Sequence, residues 1–345
     1  MSPDTASAPQ TLIEVRNLEV RFPISKKSLF RTDVIELRAV DDVSFDIKRG
    51  ETVGLVGESG SGKTTIGRAI LRAIDPTGGT VTYLAKDGPV ALHDLEGEAL
   101  RRFRPCMSLV FQDPYSSLNP RMTVRDIIAE PLIASGLMRD REEIDARVRE
   151  IAGRCKLNLE HLRRFPHAFS GGQRQRICIA RALVSRPDFV VCDESVSALD
   201  VSIQAEIVNL LKDLQDEMGV AFLFIAHDLS VVAQMSHRVA VLYVGKFVEY
   251  APTAELFFSP RHPYTHALLS AVPQADPDAA FEPIKLTGEI PNPLKAPSGC
   301  RFHTRCPYAR ERCSAEAPDW REIAPEHFVA CHFAEEFDFS RTRQS

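Results

Sequence analysis

Short apolar blocks alternate with longer amphipathic segments along most of the chain, and that rhythm predicts the elements. Leu12, Ile13, Val15, Leu18, Val20 and Phe22 are spaced for a strand. Residues 23–34 turn polar and basic, with Lys26, Lys27 and Arg31, and predict a loop or hairpin tip before strand character resumes over 35–48. The apolar strand that follows, Val53 to Val56, is thereby preceded by an antiparallel-looking β layer. Its apolar run enters a glycine-rich turn and then a helix over 63–73. Turn residues fill 75–79, short strands follow at 80–84 and 90–92, then a short helix near 96–103 and a strand at 107–111. Residues 123–165 space apolar side chains three or four apart (Val124, Ile127, Ile128, then Ile144, Val148, Ile151), with charges between them, as helices do. A helix over 174–184, a strand over 189–194, a helix over 201–218 and a strand over 220–226 complete the series. Strands that are apolar throughout, alternating with helices, predict a parallel sheet covered on both faces. From about 250 prolines multiply, and the pattern predicts an irregular appended segment rather than more sheet.

Composition narrows this only a little. The 345 residues, 44% of them hydrophobic, suffice for one large or two modest domains with a sizeable core. A net charge of −5 gives no global reason to expect nucleic acid as a partner. The first eleven residues are polar and predict a flexible terminus with no apolar signal segment. The longest apolar runs, such as Val220 to Ala226, fall far short of the roughly 18 residues a spanning helix needs. The expectation is a cytosolic chain, unless it docks on a membrane partner.

Candidate chemistry gathers where the predicted strands end, which is where open α/β sheets bind ligands. Gly57, Glu58, Ser59, Gly60, Ser61, Gly62, Lys63 and Thr64 follow the G-x-x-x-x-G-K-[ST] spacing of a phosphate-binding loop, and Thr65 continues into the helix. Glycines at this spacing let backbone N–H groups crowd around an oxyanion. The helix turns its positive end toward the phosphates, Lys63 adds a charge near the β/γ-phosphates, and Thr64 offers a hydroxyl to Mg2+. Asp193 and Glu194 end a strand whose preceding residues are fully apolar. Asp193 suits Mg2+ through water, and Glu194 beside it suits a base for an attacking water. Gln112, after the strand at 107–111, can ligand Mg2+ or orient that water. His227 ends the next strand, within reach of a γ-phosphate. Phe22 is a candidate for stacking on adenine, with plain core as the equal alternative. Ser170, Gly171, Gly172 and Gln173 open a helix, a second anion site in waiting.

Taken together and in order, these motifs resemble the ATP-binding subunit of ABC transporters. The matches are Walker A at 57–64, the Q-loop at Gln112, the signature at 169–173, Walker B at 189–194, the D-loop at 197–200 and the H-loop at His227. The resemblance covers about 20–250 and implies an α/β P-loop ABC ATPase cassette, a mostly parallel sheet with an antiparallel β layer and a helical subdomain. It implies that Lys63, Thr64, Gln112 and Asp193 hold ATP and Mg2+, that Glu194 is the catalytic base and that His227 contacts the γ-phosphate. It further implies a head-to-tail dimer, in which Ser170, Gly171, Gly172, Gln173 and Asp200 meet ATP held by a partner subunit. Two positions depart from the family pattern: Phe169 begins the signature where Leu is commoner, and Ser195 replaces the usual Pro after Walker B. Neither removes a phosphate or metal contact.

Finer features are similar to the oligopeptide/dipeptide importer ATPases, a family that also serves nickel, glutathione and opine-like solutes. They are Phe111-Gln112-Asp113-Pro114 with Ser117-Leu118-Asn119-Pro120, the run from Ala198 to Gln204, and His262-Pro263-Tyr264-Thr265 before an apolar helix. The insertion at 23–38 resembles the second of the two ATPase subunits such importers carry. The resemblance implies two integral membrane permease subunits and a second ATP-binding subunit, a paralogue or a second copy of this chain. It implies an extracytoplasmic solute-binding protein as an indirect partner, no nucleic acid, and a place on the cytoplasmic face of the bacterial inner membrane. The expected layout is a flexible 1–11, an ATP-binding domain over 12–250 with its helical subdomain near 114–170, and an extension over 251–345. A soluble ABC ATPase for DNA repair, ribosomes or cluster assembly is the alternative. The stretch between Lys63 and Ser170 is too short for a long coiled coil, and the chain holds one cassette. A regulatory cassette without activity would be expected to lack Lys63 or Glu194, and both are present.

Of the eight cysteines, Cys106, Cys155, Cys178 and Cys192 are scattered in apolar or helical contexts and are expected as small core residues. Cys300, Cys306, Cys313 and Cys331 crowd into the small, irregular, proline-rich C-terminal region. Four thiolates suit zinc or an iron–sulfur cluster, and the close C-x2-4-C pairs usual for zinc are missing. The spacing resembles the C-terminal region of peptide-importer ATPases, some of which carry a 4Fe-4S cluster. Zinc and unligated structural thiols remain the alternatives. Metal there would replace a missing core.

Overall fold

The computed structural model describes residues 10–28, 31–197, 199–272 and 283–340; for 25–28 and 31–34 the backbone alone is described. Ala198, within the D-loop, and most of the expected flexible terminus lie outside the described residues. In chain order the elements are β1 (Thr11–Ser28), β2 (Arg31–Lys48), β3 (Thr52–Val56), α1 (Lys63–Ile70), β4 (Gly78–Ala85), β5 (Gly88–Ala91), α2 (Gly97–Phe103) and β6 (Met107–Val110). There follow α3 (Val124–Ser135), α4 (Arg141–Arg154), α5 (Gly171–Leu183), β7 (Phe189–Asp193), α6 (Val201–Met218), β8 (Ala221–Ile225), α7 (Leu229–Met235) and β9 (Arg238–Tyr243). The last are β10 (Lys246–Pro252), α8 (Thr253–Phe258), α9 (Pro263–Ser270), α10 (Glu311–Ala315), β11 (Arg321–Ala324) and β12 (His327–Val329). Among the described residues, no helix is long and apolar enough to cross a membrane.

The chain divides into two compact units. The first comprises Met1–Glu14, Phe45–Thr52 and Val81–Ala226. Its centre is three parallel strands, with β7 paired to β6 from Met107↔Phe189 to Val110↔Cys192 and to β8 from Phe189↔Ala221 to Asp193↔Ile225. Every residue of β7 and β8 is buried, as expected of strands covered on both faces. The helical pattern over 123–165 resolves into separate helices. Gly136 takes a left-handed φ of 73° and closes α3, and the Asp140 side chain accepts the Glu143 N–H to start α4.

The second unit comprises Val15–Ser44, Val53–Thr80 and His227–Ser345. Here β3 pairs in parallel with β9, Val53↔Arg238 to Val56↔Val241, and β9 turns back antiparallel into β10. Of the two readings of 23–34, the loop is corrected and the hairpin fits: β1 runs to Ser28 and its sheet neighbour β2 begins at Arg31. The polar and basic residues there lie in β1 and β2, which neighbour each other in one sheet. The expectation that no sheet lies beyond 250 is also corrected. β12 pairs antiparallel with β10 (Glu249↔Val329, Tyr250↔Phe328), and β11 adds to β12. These strands have only four and three residues, too few to show a period.

Candidate functional site

The glycine-rich loop before α1 is held by its own backbone and by residues around it in the second unit. Gly62 caps α1 at φ +111°, and a Cβ there would lie 2.3 Å from the Ala39 carbonyl oxygen. Gly57 sits at φ +149°, and a Cβ on it would lie 2.2 Å from the Leu242 carbonyl oxygen. The Gly245 N–H donates to the Ser61 carbonyl at 2.8 Å, so the β9–β10 turn braces the loop. Lys63 is buried, and its Nζ donates to the carbonyls of Gly57 at 2.8 Å and Glu58 at 2.9 Å. The Ser61 hydroxyl is buried and has no hydrogen-bond partner among the described residues, a polar atom left for a ligand to satisfy. Phe22 is half-buried.

Glu58 has two further partners that the sequence did not reveal. Its N–H donates to the Tyr264 hydroxyl at 3.0 Å. Its carboxylate takes a two-pronged contact from Arg305, Nη1 to Oε2 at 2.7 Å and Nη2 to Oε1 at 3.0 Å. The Glu58 carboxylate and the Tyr243 hydroxyl hold the Arg305 guanidinium well above its ordinary range, against burial. These partners lie 206 and 247 positions away in sequence, beyond any local spacing rule.

In the first unit Asp193 is buried at the end of β7. Glu194 follows at a left-handed φ of 48°. That conformation, uncommon for a residue with a side chain, is fixed from both sides. The Glu194 N–H donates to the Ile225 carbonyl at 2.9 Å, and the Ser197 hydroxyl donates to the Glu194 carbonyl at 2.9 Å. Backbone strain of this kind clusters at working sites. Gln112 Nε2 donates to Glu194 Oε2 at 2.6 Å, joining two residues that the sequence picked out separately. The signature residues form a capping box: the Gln173 N–H donates to Ser170 Oγ at 3.4 Å, and the Ser170 N–H donates to Gln173 Oε1 at 3.1 Å. A Cβ on Gly172 would lie 2.7 Å from Ile203 Cγ2 of α6, while one on Gly171 meets only ordinary contacts. Asp200 precedes α6, and its carbonyl accepts the Gln204 N–H at 2.8 Å. His227 belongs to the second unit and is exposed.

The cysteines separate as expected with one exception. Cys155, Cys178 and Cys192 are buried, but Cys106 is only half-buried, in the turn between α2 and β6. The four C-terminal cysteines line one small, mainly apolar pocket with Phe302 and Phe333. The Cys300 N–H donates to the Cys313 carbonyl at 2.8 Å, which draws the segments together. Burial pushes the Cys331 thiol up to about 12 and Cys306 to about 11, and raises Cys300 as well. Among the described residues, no group of three or more His, Cys, Asp or Glu is arranged to hold a metal ion. The thiols therefore share a pocket without forming a finished metal site.

The phosphate loop of the second unit and the strand-end acids of the first are those of a P-loop ATPase of the ABC cassette type. A family model described as "ABC transporter" matches residues 40–197, and one described as "Oligopeptide/dipeptide transporter, C-terminal region" matches 248–313. The oligopeptide transport ATP-binding protein AppF of Bacillus subtilis (strain 168) is 48% identical over 333 residues, covering 95% of this chain and 99% of that protein. Among solved structures, the ATP-binding cassette MJ0796 in a dimeric post-hydrolysis state with ADP and Pi matches at TM-score 0.60 and 29% identity. It covers 70% of this chain and 99% of its own. A second dimeric structure of MJ0796 matches at 0.59 and 30%. The chain belongs to the ATP-binding subunits of ABC transporters, in the oligopeptide/dipeptide group.

Proposed function

We propose that this chain is the ATP-hydrolysing engine of an importer for oligopeptides or dipeptides. The observation that carries the reading is the sequence match along nearly the whole chain to AppF, joined to a glycine loop in which Gly57 and Gly62 admit no side chain. The ATP-binding domain spans 12–250, with a helical subdomain near 114–170 and the importer-type extension over 251–345. Amides of 57–62 and Lys63 bind the phosphates, and Phe22 stacks on adenine. Thr64, Gln112 and Asp193 would hold Mg2+, which would neutralise phosphate charge. Glu194 takes a proton from the attacking water as its oxygen bonds to the γ-phosphorus, the β–γ bridging bond breaks, and ADP leaves. His227 steadies the γ-phosphate. Ser170, Gly171, Gly172, Gln173 and Asp200 act on ATP held by a second ATP-binding subunit.

ATP-binding subunits of ABC importers dimerise and work with membrane permeases. For this chain the partners are two permease subunits, a second ATPase of the same type, and indirectly a solute-binding protein, at the cytoplasmic face of a bacterial inner membrane. Exposed aromatics beside Gln112 support a docking role: Phe111 is 43% and Tyr115 61% exposed. Val201, after the D-loop, is 82% exposed, which suits a subunit contact. Cys300, Cys306, Cys313 and Cys331 would, as thiolates, be the ligands of a 4Fe-4S cluster. Their shared pocket supports this, and the cluster would serve structure.

The test is co-purification from membranes with a tag on this chain, under anaerobic conditions. Two membrane subunits, a second ATPase, and iron and sulfide in equal amounts are expected. A colourless soluble dimer without membrane partners overturns the importer; zinc in place of iron overturns the cluster alone.

A further inference from the structure

Glu58 is bound at three points although it lies within the phosphate loop. Its carbonyl accepts from Lys63, its N–H donates to Tyr264, and its carboxylate is gripped by Arg305. The Glu58 N–H belongs to the same planar peptide unit as the Gly57 carbonyl, which also accepts from Lys63. Fixing that N–H on Tyr264 therefore fixes the carbonyl on which the Lys63 ammonium rests.

The anchors are themselves packed on several sides. Tyr264 is fully buried, and its ring meets Tyr243 at 4.7 Å and Phe302 at 5.3 Å between centroids. The Arg305 side chain is 8% exposed, and its Nη1 also reaches the Tyr243 hydroxyl at 3.3 Å. A two-pronged guanidinium–carboxylate contact sets orientation as well as charge.

We propose that Tyr264 and Arg305 are positioning residues for ATP binding: from the C-terminal extension they hold Glu58 and the Gly57–Glu58 peptide, and so set where Lys63 waits for phosphate. Neither touches nucleotide. Arg305 immediately precedes Cys306, so the segment carrying the thiol pocket also carries this clamp. The proposal rests on the reading of residues 57–64 as the ATP phosphate site.

The experiment measures binding of a fluorescent mant-ATP and steady-state phosphate release, with the purified full chain. The variants are Tyr264→Phe, Arg305→Met, Arg305→Lys, Glu58→Gln and the Glu58→Gln/Arg305→Met double variant, with Lys63→Ala as the control. Arg305→Met and Glu58→Gln are expected to weaken mant-ATP binding about five-fold or more and raise KM more than they lower kcat. The double variant should be no weaker than the worse single variant. Arg305→Lys keeps the charge but loses the fork, and should fall between wild type and Arg305→Met. Tyr264→Phe removes one hydroxyl and should also weaken binding.

Variants that lower the melting temperature but leave Kd and KM unchanged reduce the clamp to a structural ion pair and overturn the proposal. So do single effects that simply add in the double variant. Should Arg305→Met fail to fold, Arg305→Lys and Tyr264→Phe decide. If Lys63→Ala binds mant-ATP like wild type, the ATP reading of the loop itself fails, a distinct result.

Discussion

Gln112 Nε2 donates to Glu194 Oε2 at 2.6 Å, so the residue after β6 and the residue after β7 share one hydrogen bond. A carboxylate oriented by an amide and set on a constrained backbone is prepared to accept a proton. Glu194→Gln keeps the shape and hydrogen-bonding reach of the side chain but cannot act as a base. Phosphate release should fall by about 10²–10⁴-fold, with mant-ATP affinity retained. Equal loss of binding and turnover would instead show that Glu194 shapes the site and does not serve as its base.

Gly62 has an independent reason to be glycine. Its φ of +111° and the Ala39 carbonyl oxygen 2.3 Å from any Cβ leave no room for alanine. Gly62→Ala must shift either the start of α1 or the strand carrying Ala39. We expect mant-ATP binding to disappear while the far-ultraviolet circular dichroism stays close to wild type. A variant that binds nucleotide normally would remove this loop from the nucleotide site.

The signature segment separates helix capping from ligand contact. Ser170→Ala deletes the N-cap of α5 and should cost about 1 kcal/mol of stability in urea unfolding. Gly172→Ala places a methyl 2.7 Å from Ile203 Cγ2, and overpacking of this kind costs about 1–3 kcal/mol unless Ile203 rotates away. If Ser170 also meets ATP on a partner subunit, Ser170→Ala lowers ATPase activity by more than its stability loss explains. Ser170→Thr, which keeps a capping hydroxyl, then restores most of the stability.

Much of this was legible in the sequence because burial writes itself locally. β7 and β8 are apolar at nearly every position and fully buried, and α6 runs over Val201–Met218 as its spacing predicts. The phosphate loop follows from its glycine spacing alone. What could not be read was pairing over distance. Tyr264 stands in a motif noted for another reason, and nothing local says that its hydroxyl takes the Glu58 N–H. Nor does anything near Glu58 point to Arg305. β12 has three residues and becomes a strand because β10 offers it an edge, through Glu249↔Val329. The outer ends of β1 and β2 escaped because Lys26, Lys27 and Arg31 interrupt the apolar spacing from which a strand is read.

Thiol chemistry offers a last prediction, independent of nucleotide. Burial pushes Cys155 and Cys192 up to about 12 with no cation close enough to offset it fully. The nucleophile toward iodoacetamide is the thiolate. At pH 8 a thiol titrating near 12 is ionised to about one part in 10⁴, against roughly a quarter for an ordinary cysteine. Cys155 and Cys192 should therefore stay unlabelled in the native chain and label fully in guanidinium, as read by mass spectrometry of peptides. Cys106, half-buried at the turn before β6, should label first among the scattered four. Rapid native labelling of Cys192 would mean that β7 opens to solvent. Since Cys192 directly precedes Asp193, the Mg2+-binding role proposed for that aspartate would then rest on a mobile strand.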